Sequence, residues 1–166
     1  MDQISKKIKM ISEKLKELKN KFNYHGLDGY VVPKNDEYFS EFANKDKLKN
    51  ITGFDGSFGL AIILKKKNFL FVDGRYVEQA KIQAGKKFKI LEIPKKLPYQ
   101  ILNSRLNLGF DPTVFTSRSL IYFFRNKIKL TPITKILVNP NILKNRKSSK
   151  FYSLNPKVVG ETVNSK

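Results

Sequence analysis

Residues 53–76 read GFDGSFGLAIILKKKNFLFVDGRY, and this stretch decides the fold. Two apolar runs rich in β-branched and aromatic residues, 59–64 and 68–72, flank a short lysine-rich turn, which predicts a β-hairpin. Neither run alternates with polar residues, which is typical of strands covered on both faces of a sheet. The glycine-rich GFDGSFG precedes the hairpin and DGRY follows it. The stretch therefore predicts the centre of an α/β sheet with chemically active side chains at one end of the hairpin.

The segments around the hairpin alternate between helix and strand patterns. Residues 3–22 place apolar side chains every three or four positions, which predicts an amphipathic helix. The stripe is too short for a coiled coil, so we expect this helix to pack on the sheet. Further strands are predicted at 27–33, 88–93 and 107–111, and further helices at 45–54, 75–84, 98–106 and 117–127. We therefore predict an α/β domain with a mixed sheet and helices on both faces.

The periodic pattern ends before the chain does. We place the predicted domain at residues 1–138. Residues 139–166 show no sustained helical or strand period, so we expect a linker or the start of a following domain.

The composition is strongly basic, with 33 Lys and Arg against 14 Asp and Glu and a formal net charge of +19. Such a charge suggests a nucleic-acid or acidic-membrane partner. However, only five of the basic residues are Arg, the side chain best suited to bind phosphate, and the lysines occur in every segment. The codon bias of an AT-rich genome would also produce an excess of Lys and Asn. The scatter favours a compositional origin and no specific nucleic-acid partner, and a basic nucleic-acid-binding module remains the alternative.

Several kinds of site are excluded by residue content. The chain has no Cys, so it cannot form disulfides or thiolate metal sites, and His25 is its single His. No apolar run approaches the roughly 18 residues needed to cross a bilayer. The charged first 22 residues lack the apolar region of a signal peptide. We expect a cytoplasmic protein with no membrane partner, no catalytic residue and no metal ligand set of its own.

The GFDGSFG segment does not match a phosphate-binding loop. Such a loop follows a strand and ends in Gly-Lys, whereas Gly53, Gly56 and Gly59 precede a strand and Leu60 follows the last of them. We predict a structural loop made by these glycines and Phe54, in which glycine permits a positive φ and close approach of the backbone.

The DGRY segment allows two interpretations. Asp73 ends an apolar strand, and Arg75 is the first Arg in a chain dominated by Lys, which suggests a need for its planar, bidentate head group. Strand ends are also where α/β folds present functional groups. Alternatively, Asp73 caps the next helix, and Arg75 pairs with Asp73 or Asp55 for structural reasons. The residues themselves leave both interpretations open.

At this point the chain resembles a known family. The segments LDGYVVPKNDEYFSEF (27–42), ITGFDGSFG (51–59), DGRYVEQA (73–80) and NLGFDPTVFTS (107–117) occur in the order and spacing of the amino-terminal domain of Xaa-Pro aminopeptidase (aminopeptidase P), in the creatinase/prolidase group. The closing VVGETVNSK is similar to the segment that follows in that family. The family's His is replaced within residues 37–39, and its Trp and His are missing from residues 111–116.

The resemblance implies a division of labour between domains. In this family, a carboxy-terminal domain that this chain lacks holds two divalent metal ions, commonly manganese, and releases an N-terminal residue that precedes proline. The amino-terminal domain is non-catalytic; it supports association with a neighbouring subunit, including a homodimer, and limits access of peptide substrates. Carried over to this sequence, Arg75 would face the substrate, and Asp73 would orient the Arg75 side chain. Tyr76 would help to line the wall of the substrate entrance. A stand-alone interaction domain from a split or truncated gene is a further alternative.

Overall fold

The computed structural model describes residues 3–40, 46–134 and 137–138. Within these ranges the strands are β1 (Gly29–Pro33), β2 (Leu60–Leu64), β3 (Asn68–Asp73), β4 (Lys89–Ile93), β5 (Asn107–Phe110) and β6 (Lys129–Pro132). The helices are α1 (Gln3–Tyr24), α2 (Lys47–Thr52), α3 (Val77–Ala84), α4 (Pro98–Ile101) and α5 (Ser117–Phe124), with 3₁₀ turns at Gly74–Tyr76 and Pro112–Val114. The segment 139–166, predicted to be a linker or the start of a following domain, lies outside the described residues.

One predicted helix is much shorter than expected. The pattern over residues 98–106 predicted a helix, but α4 ends at Ile101 because Leu102 takes extended backbone angles (φ −85°, ψ 145°). The Leu102 side chain is thereby buried against the sheet, with 9 % of its surface exposed. Burial of this side chain overrides the local helical preference.

The six strands form one mixed sheet in the order β4-β3-β2-β1-β5-β6. The predicted hairpin is present: β2 and β3 pair antiparallel, with Leu60 opposite Phe71, and β2 also pairs antiparallel with β1. The remaining pairs, β1 with β5, β5 with β6, and β3 with β4, are parallel. The prediction of a mixed α/β sheet is therefore confirmed.

Both faces of the sheet are covered by helices, as the apolar strand runs predicted. On one face, Tyr30, Val32, Ile63 and Leu70 belong to a core that includes side chains of α1, α2 and α3. The alternate strand residues, including Val31, Ile62, Phe69 and Phe71, belong to a second core with α4 and α5. Because successive side chains of a strand point to opposite faces, each hydrophobic strand contributes to both cores.

The strand directions give the sheet two chemically different edges. Strands β1, β3, β4, β5 and β6 run in the same direction, so their carboxyl ends meet at one edge. We define the carboxyl edge as residues 34–37, 46–49, 53–59, 73–76, 92–96 and 111–113. The opposite, amino edge comprises residues 24–28, 65–68, 86–89, 103–107 and 125–129.

Candidate functional site

The carboxyl edge holds all the site residues predicted from the sequence. The glycine loop enters β2 at this edge, and the DGRY segment leaves β3 beside it, because the two strands form one antiparallel hairpin. Residues that are about 20 positions apart in the sequence are thus adjacent in space. The sequence predicted that both segments frame the hairpin, but it did not predict the contacts between them.

Asp73 and Arg75 form a compact ion pair at the end of β3. The Arg75 backbone N–H donates to Asp73 Oδ1 at 2.9 Å, which caps the 3₁₀ turn, and Arg75 Nη2 donates to Asp73 Oδ2 at 2.7 Å. The Arg75 hydrogen bonds lower the pKa of Asp73 against the opposing effect of burial. The pair is therefore charged at neutral pH.

The guanidinium of Arg75 lies at the surface in a defined orientation. Its side chain is 76 % exposed, and its central carbon lies 5.4 Å from the centre of the Tyr76 ring. The carboxylate on one side and the aromatic ring on the other both favour this position. This is the pairing with Asp73 that the structural interpretation anticipated, and it also presents an oriented cation to solvent.

Tyr76 connects the two predicted segments. Its hydroxyl lies 2.8 Å from Ser57 Oγ, and its ring packs edge-on against buried Phe54 at a centroid distance of 6.0 Å. Gly56 allows this contact, because a Cβ there would lie 2.3 Å from Phe54 Cζ and 3.0 Å from Tyr76 Cδ1. Tyr76 is thus partly buried against the core next to α3 rather than fully displayed at the surface.

The glycines of the loop meet two different requirements. Gly53 ends α2 with a positive φ of 82°, and its N–H donates to the carbonyl of Lys49 at 2.8 Å. Gly59 is needed for space, since a Cβ would lie 2.8 Å from the Leu48 side chain. The first requirement concerns the backbone conformation and the second the close approach of the loop to the core.

Asp55, within the same loop, is bound by α3 rather than by Arg75. Gln79 Nε2 and Gln83 Nε2 donate to Asp55 Oδ1 at 2.8 and 2.7 Å, and Lys49 Nζ lies 3.5 Å from Oδ2. The hydrogen bond from Gln83 is the main cause that lowers the pKa of Asp55, although burial opposes it. The Gln spacing of four on a predicted helix was the sequence signal for this contact.

A second ionic cluster on this edge was missed from the sequence. Lys47 Nζ lies 2.7 Å from Asp111 Oδ2, and Lys34, only 9 % exposed, pairs with Asp46 at the start of α2. These contacts join β1, α2 and β5 across more than 60 positions of sequence. No local pattern predicts such pairs, because they depend on the order of strands in the sheet.

Electrostatic effects in this second cluster follow from its burial. Burial acts to raise the pKa of Asp111, but hydrogen bonds from Lys47 and Thr113 outweigh it, so the pKa lies below its ordinary value. Tyr30 is 3 % exposed; burial and then the charge of Asp111 raise the pKa of its hydroxyl. At neutral pH the cluster thus holds an ionised carboxylate near a neutral phenol.

A cavity of about 270 Å³ opens at the carboxyl edge on the side of α5. Its walls include Phe39, Phe58 and Phe123 together with the polar residues Asn35 and Ser119. Asn35 is fixed there by a 2.9 Å hydrogen bond from Nδ2 to the carbonyl of Val114. Phe39 lies where the resembling family has its His-containing segment, so this chain has an aromatic wall at that position.

The described residues do not form a metal site. Within 3–40, 46–134 and 137–138, no group of three or more His, Cys, Asp or Glu side chains could hold a metal ion. Five carboxylates of the carboxyl edge are instead engaged by Lys, Arg or Gln side chains, namely those of Asp46, Asp55, Asp73, Glu92 and Asp111. The described residues therefore do not fit a dinuclear metal centre.

No helix in the described part of the chain is both long and apolar enough to cross a membrane.

The comparisons of this chain with known proteins agree on one family. Residues 14–138 match the family model described as Creatinase/Prolidase N-terminal domain. A probable Xaa-Pro aminopeptidase P of Laccaria bicolor is 36 % identical over 115 residues, which are 64 % of this chain and 18 % of that protein. This chain thus spans less than a fifth of the length of that relative.

Solved structures share the fold. The X-prolyl aminopeptidase of Caenorhabditis elegans, described as a cytosolic enzyme with a di-nuclear active site, superposes with a TM-score of 0.66 at 24 % identity, over 77 % of this chain and 25 % of the enzyme. The N-terminal domain of the cytoplasmic peptidase PepQ of Mycobacterium tuberculosis superposes with a TM-score of 0.57 at 21 % identity, over 73 % of this chain and 92 % of that domain.

Proposed function

The chain belongs to the creatinase/prolidase N-terminal domain family, and we propose that it serves as the non-catalytic domain of an aminopeptidase P-like metallopeptidase. The match of residues 14–138 to the family model carries this proposal. The whole enzyme would release an N-terminal residue that precedes proline, and the domain would support subunit association and limit substrate access. In keeping with the cytosolic enzyme of Caenorhabditis elegans, we place the protein in the cytoplasm.

In this proposal the carboxyl edge faces the catalytic centre. Arg75 is the exposed cation of the edge that has a planar head group, and such a group binds a peptide carboxylate or carbonyl through paired hydrogen bonds. Asp73 keeps the guanidinium oriented, because its low pKa leaves it ionised at neutral pH. Because the guanidinium is already oriented, less side-chain conformational entropy is lost when the substrate binds.

The aromatic walls of the edge would limit which peptides reach that centre. Tyr76 is held by Ser57 and Phe54, so its ring is a fixed surface beside Arg75. The cavity lined by Phe39, Phe58 and Phe123 adds an apolar surface on the same edge. Rigid apolar walls with a few fixed polar groups are typical of sites that select small ligands.

The chemistry of cleavage belongs to partners of this domain. Two divalent metal ions, commonly manganese in this family, would be held by a carboxy-terminal catalytic domain, where they would activate water. The domain's partners would be that catalytic domain and a neighbouring subunit, such as the second copy in a homodimer. Peptide would bind only when the catalytic domain is present.

The first test separates this domain from catalysis. The purified 166-residue chain, incubated with an X-Pro peptide and Mn²⁺, should release amino acid at the background rate, because the part of it that the structure describes supplies no metal ligand set. A full-length protein that carries this domain should cleave the peptide under the same conditions. Mn²⁺-dependent turnover by the isolated chain would contradict the proposal.

The second test addresses association and access directly. Removal of residues 1–138 from the full-length protein should change its oligomeric state, measured by light scattering, and relax its preference for peptide length. If the shortened protein keeps both properties, the domain has neither of the proposed roles.

A further inference from the structure

The amino edge gathers the basic residues that are scattered in the sequence. The segments at this edge that adjoin β2, β3, β4, β5 and β6 all carry lysine or arginine, and all ten of the following side chains are exposed: Lys65, Lys66, Lys67, Lys86, Lys87, Lys89, Arg105, Arg125, Lys127 and Lys129. Asp28 is the one carboxylate among the residues of this edge. The four hairpin and strand-entry segments that supply these cations become neighbours only when the sheet forms.

Hydrogen bonds connect these segments into one surface. Asn68 Nδ2 donates to the carbonyl of Lys87 at 2.9 Å, which joins the β2–β3 turn to the loop before β4. Asn107 Nδ2 donates to the carbonyl of Gly26 at 2.8 Å, which joins the start of β5 to the segment between α1 and β1. Five strand spacings of about 4.8 Å place the cations along a line of roughly 24 Å.

The charge balance of this edge differs sharply from that of the carboxyl edge. The carboxyl edge carries seven carboxylates and six cations, and five of the ion pairs lie there: Lys34–Asp46, Lys47–Asp111, Lys49–Asp55, Arg75–Asp73 and Lys95–Glu92. At the amino edge, Lys65–Asp28 at 3.8 Å is the ion pair that the described residues form. An unspecific excess of lysine would be expected to load both edges alike, so the asymmetry needs another explanation.

Aromatic side chains accompany the cations. Tyr24 ends α1 at this edge with 86 % of its surface exposed, and its ring meets His25 edge-on at 4.9 Å. At the far end, Arg125 and Lys127 both lie over the Tyr99 ring, at 5.0 and 5.4 Å from its centre, which fixes their direction. An exposed tyrosine within a line of cations suits a partner that offers both phosphates and unpaired bases.

We propose that the amino edge binds single-stranded nucleic acid without sequence preference. The cations contact successive phosphates along the edge, and a base stacks on Tyr24. A duplex fits less well, because its bases are already stacked and cannot reach the tyrosine. A lipid surface also fits less well, since the exposed aromatic side chains Phe39 and Phe58 lie beside the cavity at the opposite, carboxyl edge.

The test uses the full chain and a fluorescein-labelled 15-mer of uridine, with binding measured by anisotropy between 50 and 200 mM salt. The edge variant combines Lys67→Glu, Lys87→Glu, Arg105→Glu and Lys129→Glu. The control variant combines Lys9→Glu, Lys16→Glu, Lys96→Glu and Arg118→Glu, all of them exposed residues outside the amino edge. Both variants lower the net charge equally, and thermal unfolding checks that each is folded.

The proposal predicts that the edge variant loses at least tenfold more affinity than the control variant. The wild-type log of the binding constant should fall with log salt concentration, with a slope of about −0.7 for each phosphate contacted, and the edge variant should have a shallower slope. Equal losses in the two variants would show attraction by net charge alone and would overturn the proposal. Absence of binding by the wild-type chain at 50 mM salt would overturn it as well.

Tyr24→Ala supplies the second measurement. Loss of one stacked base should weaken binding by about fivefold or more and leave the salt slope unchanged. A deoxythymidine 15-mer distinguishes DNA from RNA as the natural strand. Phosphatidylserine vesicles that bind at the edge when neither oligonucleotide does would show a lipid surface and contradict the assignment.

Discussion

At the scale of single residues, the candidate site depends on a contact that couples its two segments. Phe54 is fully buried, Tyr76 packs against it, and Gly56 leaves the space in which the two rings meet. From the sequence, Phe54 and Gly56 were predicted to belong to a structural loop, and the family resemblance implied that Tyr76 lines a wall that faces the substrate. In the structure, the orientation of Tyr76 is set by the loop, so the two assignments belong to one arrangement.

Gly56→Ala should destabilise the domain by roughly 1–3 kcal/mol, because the added Cβ overlaps a ring that cannot move away. Chemical denaturation of the 166-residue chain measures this change. Gly74→Ala is the matched control, since its Cβ would meet only the flexible end of Glu92 at 3.0 Å. Equal stability of Gly56→Ala and the wild type would mean that Phe54 and Tyr76 can separate without cost.

Asp55 should give the domain a stability that depends on pH. The hydrogen bond from Gln83 lowers its pKa in the folded state, so this contribution is present above the unfolded pKa of about 3.9 and is lost as the pH falls through the folded value. Asp55→Asn should therefore lower the unfolding temperature at pH 7 and have a smaller effect at pH 3. Glu13→Gln, an exposed change on α1, is the control; an Asp55→Asn effect that is the same at both pH values would contradict this account.

At the scale of elements, local sequence patterns predicted the hairpin and the helices well. These elements have local signals: β2 and β3 are continuous apolar runs, and α1 has apolar residues every three or four positions. Such signals can be read from residues that are close together in the sequence. The end of α4 was wrong, because the burial of Leu102 is decided by the second core and not by its neighbours. The caps at Thr116 and Gly53, in contrast, follow from the identity of single residues.

At the scale of the whole molecule, the order of the strands in the sheet could not be predicted from the sequence. The parallel pairing of β1 with β5 brings Lys47 to Asp111 and Asn35 to Val114. The same order collects the basic segments at the amino edge. Scatter along the chain favoured a compositional origin of the charge. The sheet brings several of those segments to one surface, and the proposal of a nucleic-acid partner rests on that arrangement.

The two edges also separate the two proposed activities. The carboxyl edge, with its paired charges and aromatic walls, is proposed to meet the peptide and the catalytic domain. The amino edge lies across the sheet from it and is proposed to bind nucleic acid. Variants of one edge are therefore expected to leave the activity of the other unchanged, since the substitutions share no contacts.

The most direct test of the central claim is the effect of Arg75→Ala on kcat/KM for an X-Pro peptide in a full-length protein that carries this domain. Loss of a hydrogen-bonded cation that meets the substrate should reduce kcat/KM by about tenfold or more, and Arg75→Lys should restore only part of it. Arg118→Ala, an exposed arginine on α5, is the matched control and should leave kcat/KM unchanged.

The account predicts that the unfolding temperature of Arg75→Ala stays within about 2 °C of the wild type, because the side chain is 76 % exposed and surface ion pairs contribute little to stability. An unchanged kcat/KM would contradict the assignment of Arg75 to the substrate. A loss of kcat/KM that is matched by unfolding of the domain would assign the Asp73–Arg75 pair to structure alone.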